Sequence, residues 1–361
     1  MASAAEPTLA STVWSSHLSH QTHDGTEPPA KRRKLATNLR GTDTALEGGL
    51  NYGSITCISA EADSGAREIT LAFLASHLLS SSDAAATLID STLSSDIRRL
   101  HQRLVEALQS PGNDKAPSKA MEVLSRLKIM KVFDFIGLTE CLAEFRQDVE
   151  ERVKGVEVVA KQGAPAAPKG TIGDSEDEGE EMLDDATSPS SPRQPAHKAP
   201  DAHAQQEAEH SCGLLVIDNV TQLAAPLLKN NHAQGQALLT SFMRSLSHLT
   251  RANGLCTVML NNTTTYAQAK EEPPSIFSSC AARPALGKAF TYLLDVHLLV
   301  HVESKTAADA RAVYGGEQQG RLKQKVDMVS VVEVLQDRHG RRVGKWAAFA
   351  IDVDGRLKDV A

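Results

Sequence analysis

Between Gly53 and Leu79 the chain changes hydrophobic period within a few residues. Ile55 to Ser59 is a short apolar run. After the turn Ala60-Glu-Ala-Asp-Ser-Gly-Ala-Arg67, the apolar residues Ile69, Leu71, Phe73, Leu74, Leu78 and Leu79 recur at helical spacing. Strand, glycine-bearing turn and helix thus follow one another directly. The turn has the layout of a phosphate-binding loop. In a working loop, G-x-x-x-x-G-K-[ST], backbone N–H groups cradle the phosphates, the Lys reaches the β and γ phosphates, and the hydroxyl holds Mg²⁺. Here Gly65 keeps the second glycine, Ala66 stands at the lysine position and Arg67 at the hydroxyl position. Asp63 puts a negative charge where phosphates would lie. The layout is present without its chemistry.

The same alternation continues along the chain. Ala86 to Asp90 reads as a strand followed by a helix through Leu108, and Ile129 to Phe135 as a strand followed by a helix from Thr139 to about Val153. The apolar run Gly213-Leu-Leu-Val-Ile-Asp218 ends in a carboxylate. A long amphipathic helix over Gln234 to Asn253 carries Leu238, Leu239, Phe242, Met243, Leu246 and Leu249, and strands follow at Cys256 to Asn261 and Leu293 to Val302. Val329 to Leu335 and Trp346 to Asp352 flank Asp337-Arg-His-Gly340 and read as an edge hairpin. Near-continuous apolar strands alternating with helices predict an α/β fold with a mostly parallel central sheet and helices on both faces.

Two stretches fall outside this pattern. Residues 1–40 are rich in Ser, Thr and Pro and contain Pro28-Pro-Ala-Lys-Arg-Arg-Lys-Leu35, whose basic residues Lys31, Arg32, Arg33 and Lys34 read as a nuclear-import signal. Residues 155–210 turn acidic and Pro-rich, with Asp174-Ser-Glu-Asp-Glu-Gly-Glu-Glu181 at the centre, and cannot bury enough apolar area to offset ordering. They read as an insertion dividing a core of 41–154 and 211–361. A formal charge of −7 argues against a uniformly basic nucleic-acid binder, so any DNA contact must be local. The 5 cysteines and 13 histidines show no metal-ligand spacing, and no metal site is expected. No apolar run approaches the roughly 18 residues that span a bilayer, so no membrane partner is expected.

Four segments together carry a family resemblance: Thr-Asp-Thr-Ala-Leu-Glu-Gly-Gly-Leu-Asn-Tyr-Gly53, Val216-Ile-Asp-Asn-Val-Thr-Gln-Leu-Ala-Ala-Pro-Leu-Leu228, Gly254-Leu-Cys-Thr-Val-Met-Leu-Asn-Asn262 and Arg283-Pro-Ala-Leu-Gly-Lys288. The chain resembles the RecA-type recombinases, specifically the eukaryotic recombinase paralogues and their D-type branch. The resemblance implies a RecA-like P-loop core whose degenerate nucleotide site consists of Glu61, Ser64, Gly65, Arg67, Asp218 and Asn262. Thr92 stands where the family has a glutamate base, so hydrolysis is not expected, while ATP and Mg²⁺ stay open as ligands. It also implies DNA contact from two loops, the first following Asp218 and carrying Lys229, the second carrying Tyr266, Lys270 and Phe277 with Arg283 and Lys288 behind it. The function it implies is that of a nuclear accessory factor in homologous-recombination repair. Its partners would be other recombinase paralogues, the main recombinase and, within such a complex, single-stranded DNA. Two other functions stay open: a DNA-dependent ATPase rebuilt around Arg67 and Asp218, and a DNA-independent regulatory module of P-loop origin.

Overall fold

The computed structural model describes residues 33–109, 115–162, 213–265, 274–314 and 326–360. The chain enters through β1 (Lys34–Leu35), α1 (Arg40–Ala45) and β2 (Leu50–Asn51), and β1 pairs antiparallel with β2. Asp43 holds this entry by accepting from the Thr37 backbone N at 2.7 Å, the Thr37 hydroxyl at 2.8 Å and the Asn38 N at 3.0 Å. Gly49 lies at φ 120° with the Leu35 carbonyl 2.1 Å from where a Cβ would stand, so only glycine fits this turn.

The packed chain therefore begins before residue 41. Arg33 and Lys34, expected on a solvated import signal, are tied to the core: Arg33 donates to Ser80 Oγ at 2.9 Å and lies over the Tyr52 ring, and Lys34 donates to the Glu47 carbonyl at 2.6 Å. Burial of Leu35, 2 % exposed, draws the segment in. Lys31 and Arg32 lie outside the described residues.

The core elements follow in the order β3 (Ser54–Ala60), α2 (Ala66–Leu79), β4 (Ala86–Asp90), α3 (Ile97–Leu108), α4 (Ala116–Leu124), β5 (Leu127–Lys131), α5 (Phe135–Gln162), β6 (Leu214–Asp218), α6 (Val220–Asn230), α7 (His232–Ala252), β7 (Cys256–Thr264), β8 (Arg283–Pro284), α8 (Gly287–Thr291), β9 (Val296–Ser304), α9 (Ala307–Tyr314), β10 (Met328–Asp337), β11 (Trp346–Ile351) and β12 (Leu357–Asp359). The main sheet runs β12-β11-β10-β9-β3-β7-β6-β4-β5, with β8 added to β7. From β9 to β5 the pairings are parallel, and β10, β11 and β12 are antiparallel, so the expected edge hairpin is present.

Alternation along the strands feeds two apolar layers, the outline expected of a RecA-like core. Ile58, Val216, Val258 and Leu298 face α2, α3 and α4, whereas Cys57, Ile217 and Met259 face α5, α6 and α7. Of the apolar residues expected to seat α7 on the sheet, Leu238 is instead exposed; Leu239, Phe242, Met243, Leu246 and Leu249 form the buried stripe. α5 continues to Gln162, so the first residues assigned to the insertion are helical; residues 163–212 lie outside the described set. Because the parallel strands share one direction, Ala60, Asp90, Asp218 and Asn262 all arrive at the same end of the sheet.

Candidate nucleotide cleft and loop surface

Ala60 leaves β3 into a turn closed by Ser64, whose backbone N and hydroxyl both donate to the Glu61 carbonyl, at 3.4 and 2.8 Å. Asp63 at φ 57° and Gly65 at φ 93° reverse the chain, and Gly65 caps α2. A Cβ at Gly65 would sit 2.6 Å from Ile351 and 2.8 Å from Phe349, so the turn is pressed against β11. The turn opens into a cleft of about 880 Å³, within the size range of small-molecule sites, lined among others by Glu61, Ser64, Gly65, Arg67, Asp218 and Asn262. The six residues assigned to the site by resemblance thus meet in one cleft.

What they offer one another is not phosphate chemistry. Arg67 Nε lies 3.5 Å from Asp218 Oδ2, with the arginine half exposed and the aspartate buried. A guanidinium therefore sits on the carboxylate that would share Mg²⁺ with the hydroxyl position. The other oxygen, Asp218 Oδ1, is buried without a hydrogen-bond partner. Burial pushes the Asp218 carboxyl up to about 6, helped by the neighbouring Asp90, while Arg67 pulls it down. Glu61 is occupied too, accepting from the Val302 N at 3.3 Å. Among the described residues around the cleft, Glu61, Asp63, Glu68, Asp96 and Asp218 face only Arg67 and Arg99 as cations, and Arg99 is itself 3.0 Å from Glu68. A polyphosphate would meet more carboxylates than guanidiniums, with Ala66 in place of an amine. The residues present do not fit MgATP.

Two groups that the sequence did not single out complete the site. Asp90, beside Asp218 in register, accepts from the backbone N of Thr92, Leu93 and Ser95 at 2.9, 2.8 and 3.3 Å and from the Thr92 hydroxyl at 3.0 Å. Burial alone would raise its carboxyl, but the bonds from Ser95 and Thr92 outweigh burial and hold it below the usual carboxylate value. Thr92 is thus part of a carboxylate-capped turn. The second group is a buried polar chain across the strand ends. His297 Nε2 lies 2.7 Å from Ser59 Oγ, Asn261 Nδ2 donates to that hydroxyl at 2.7 Å, and Thr221 Oγ1 donates to Asn261 Oδ1. Thr221 Oγ1 also accepts the Asn262 N at 2.9 Å, and Asn219 Nδ2 donates to Asn262 Oδ1 at 2.6 Å. Burial lowers the His297 imidazole to about 4, so it is neutral at pH 7. Asn262 is therefore aimed by Asn219 and locked in place. The spacing Asn219-x-Thr221, an N-cap pattern, was the available signal.

The expected DNA loops differ from their sequence reading. Lys229 is in the last turn of α6: Asn219 caps that helix by accepting from Thr221 N at 2.8 Å, and Val220, Leu223 and Ala224 bury its face. Tyr266 and Lys270 lie outside the described residues. Phe277 is half buried, with its ring 5.2 Å from the His301 ring and 5.3 Å from Trp346, both edge-on, so it is a packing residue rather than an open base platform. Its neighbours are pinned to the sheet: Ser275 Oγ and Ile276 N donate to Glu333 at 2.6 and 2.8 Å, and Ser279 Oγ to Glu303 at 2.7 Å. Arg283 begins β8 against Thr264, and Lys288 is exposed on α8.

No protein-family model matches the chain. The DNA repair protein RAD51 homolog 4 of Mus musculus is 23 % identical over 270 residues, an alignment covering 74 % of this chain and 60 % of that protein. The chain is related to the RecA-type recombinase paralogues. It spans three fifths of the length of that relative. Among solved structures, a crystal structure of the RadB recombinase matches with 16 % identity and a TM-score of 0.49, covering 91 % of this chain and 100 % of that one.

Proposed function

We propose that this paralogue is an accessory factor in homologous-recombination DNA repair that works in the nucleus through protein and single-stranded DNA contacts, without turning over ATP. The observation that carries the absence of turnover is the Arg67–Asp218 pair: the cation is part of the chain, at 3.5 Å from the carboxylate that a metal would need. With the lysine, hydroxyl and base positions all replaced, the positioning and charge stabilisation that phosphoryl transfer requires are missing. The role in repair is transferred from the relative named for it.

Its partners under this proposal are other recombinase paralogues and the main recombinase. The edge of the sheet supports such pairing. Among the described residues β5 hydrogen-bonds only to β4, and Ile129, Phe133 and Ile136 are exposed beside that open edge, Phe133 at 77 % and Ile136 at 69 %. The two prolines and two glutamates between Lys270 and Ser275 weaken a purely loop-based DNA contact, which fits a subunit that meets DNA alongside partners.

The experiment is loss of the gene followed by induction of double-strand breaks. The expected result is hypersensitivity with fewer recombinase foci, restored by the wild-type chain and equally by Arg67→Ala, which removes the internal cation. Normal resistance and normal foci in the null cells would overturn the repair role. Failure of Arg67→Ala alone would overturn the independence from the nucleotide cleft.

A further inference from the structure

The sheet has a second end, and its charge is the reverse of the cleft's. From Asn219 through Lys270 the sequence contains no Asp or Glu, and from there to Leu294 the only carboxylates are Glu271 and Glu272. In a chain of net charge −7 this stretch is the exception. The fold gathers part of it where β3 and β9 begin. Asp295, buried at the mouth of β9, accepts from Ile55 N at 2.9 Å through Oδ2. Its other oxygen, Oδ1, draws Arg251 Nη2 at 2.9 Å, Arg338 Nη1 at 3.7 Å and His339 Nε2 at 3.5 Å. One carboxylate thus anchors two guanidiniums and an imidazole, leaving surplus positive charge at the surface. Asp337, the next carboxylate in the hairpin, is taken by Arg342 at 2.6 Å.

The cluster extends in two directions. Along α7, Arg244, His248 and Arg251 are exposed at spacings of four and three, which places them on one helical face. Along α8, exposed Lys288 precedes Tyr292 by one turn. Tyr292 is 69 % exposed, and Arg338 Nη2 donates to its backbone carbonyl, so an exposed aromatic residue is joined to the cationic cluster. Cations for a phosphate backbone beside an aromatic face for a base are the two parts of a sequence-tolerant single-strand site.

We propose that this surface, from Arg244 and His248 through Arg251 to Tyr292, Arg338 and His339, is a contact site for single-stranded nucleic acid, separate from the loops at the strand C-termini. The two ends are about 20 Å apart, the length of a seven-residue strand. An acidic protein segment would use the cations but not the ring, and a duplex would hide its bases from Tyr292.

The test is fluorescence anisotropy of the full chain with a labelled oligothymidine and with a duplex of equal length, over a range of salt. Four proteins are compared: the parent, Tyr292→Ala, Arg244→Glu, and the loop double variant Lys270→Ala with Arg283→Ala. Tyr292 and Arg244 are exposed, and unchanged thermal unfolding confirms that their variants fold. The expected result is single-strand affinity about 5- to 100-fold weaker for Tyr292→Ala, as for loss of one stacked base. Arg244→Glu is expected to show a shallower salt slope by about 0.7 per lost phosphate contact. Loss only in the loop variant would overturn the proposal while leaving DNA binding by the loops intact. Absence of any binding by the parent at low salt would also overturn it, as would equal duplex affinity untouched by Tyr292→Ala.

Discussion

Replacing Asp218 by Asn should stabilise this protein, although Asp218 occupies the metal-binding position of the motif. The carboxylate is 5 % exposed, one of its oxygens has no hydrogen-bond partner, and its pKa is raised to about 6 even with Arg67 alongside. In the unfolded chain an aspartate titrates near 3.9. A folded pKa above the unfolded one means that the native state resists ionisation, so this group favours folding below about pH 4 and that advantage disappears as pH rises through about 6. A gap of roughly two units at about 1.4 kcal/mol each is a cost of about 3 kcal/mol at neutral pH, net of the arginine's attraction. Asparagine keeps the shape and removes the charge. Urea unfolding of Asp218→Asn and the parent should therefore differ by about 2–3 kcal/mol in favour of the variant at pH 7.5, and the gap should close as pH falls from 6 to 4. A variant no more stable than the parent at pH 7.5, or an advantage independent of pH, would refute the reasoning.

Three further outcomes follow from the geometry. Gly65→Ala must hold φ 93° and push a methyl to within 2.6 Å of Ile351 and 2.8 Å of Phe349; thermal unfolding should show a loss of about 2–4 kcal/mol. Asp337→Ala leaves the buried Arg342 guanidinium without its two carboxylate bonds, at 2.6 and 3.1 Å, and should cost about 3–5 kcal/mol in urea unfolding at pH 7. Burial works to raise the Asp337 carboxyl, but the Arg342 bonds outweigh it and hold it below its ordinary value. The parent should therefore lose this contribution as pH falls below about 4, and the variant should not. Glu333→Gln weakens the bonds from Ser275 and Ile276, and limited proteolysis should cut near Phe277 faster while the global unfolding midpoint moves little.

The strands and their order of succession were legible because buried parallel strands leave continuous apolar runs, as in Ile55 to Ser59 and Leu214 to Asp218. The residues on which the expected loss of hydrolysis rests, Ala66, Arg67 and Thr92, were equally legible. Long-range compensation was not. Nothing adjacent to Arg67 in sequence says that its guanidinium settles on Asp218, a contact between residues 151 positions apart. Nor does local composition say that Leu35 buries and carries Arg33 and Lys34 onto the core. Lys229 was misplaced because Pro226 and the polar Lys-Asn-Asn-His run suggest a loop, whereas the Asn219 cap and the buried Leu223 face extend the helix to Asn230. Phe277 was misread because an aromatic in a loop looks available until Trp346 and His301 arrive from distant strands.

Under the proposed function, Arg67 closes the cleft to MgATP. Binding of a labelled non-hydrolysable ATP analogue to the purified, demonstrably folded chain, with and without Mg²⁺ and beside Arg67→Ala and Asp218→Asn, tests it most directly. The expected result is no saturable binding at millimolar nucleotide and no dependence on Mg²⁺. Saturable, Mg²⁺-dependent binding that both substitutions abolish would contradict it.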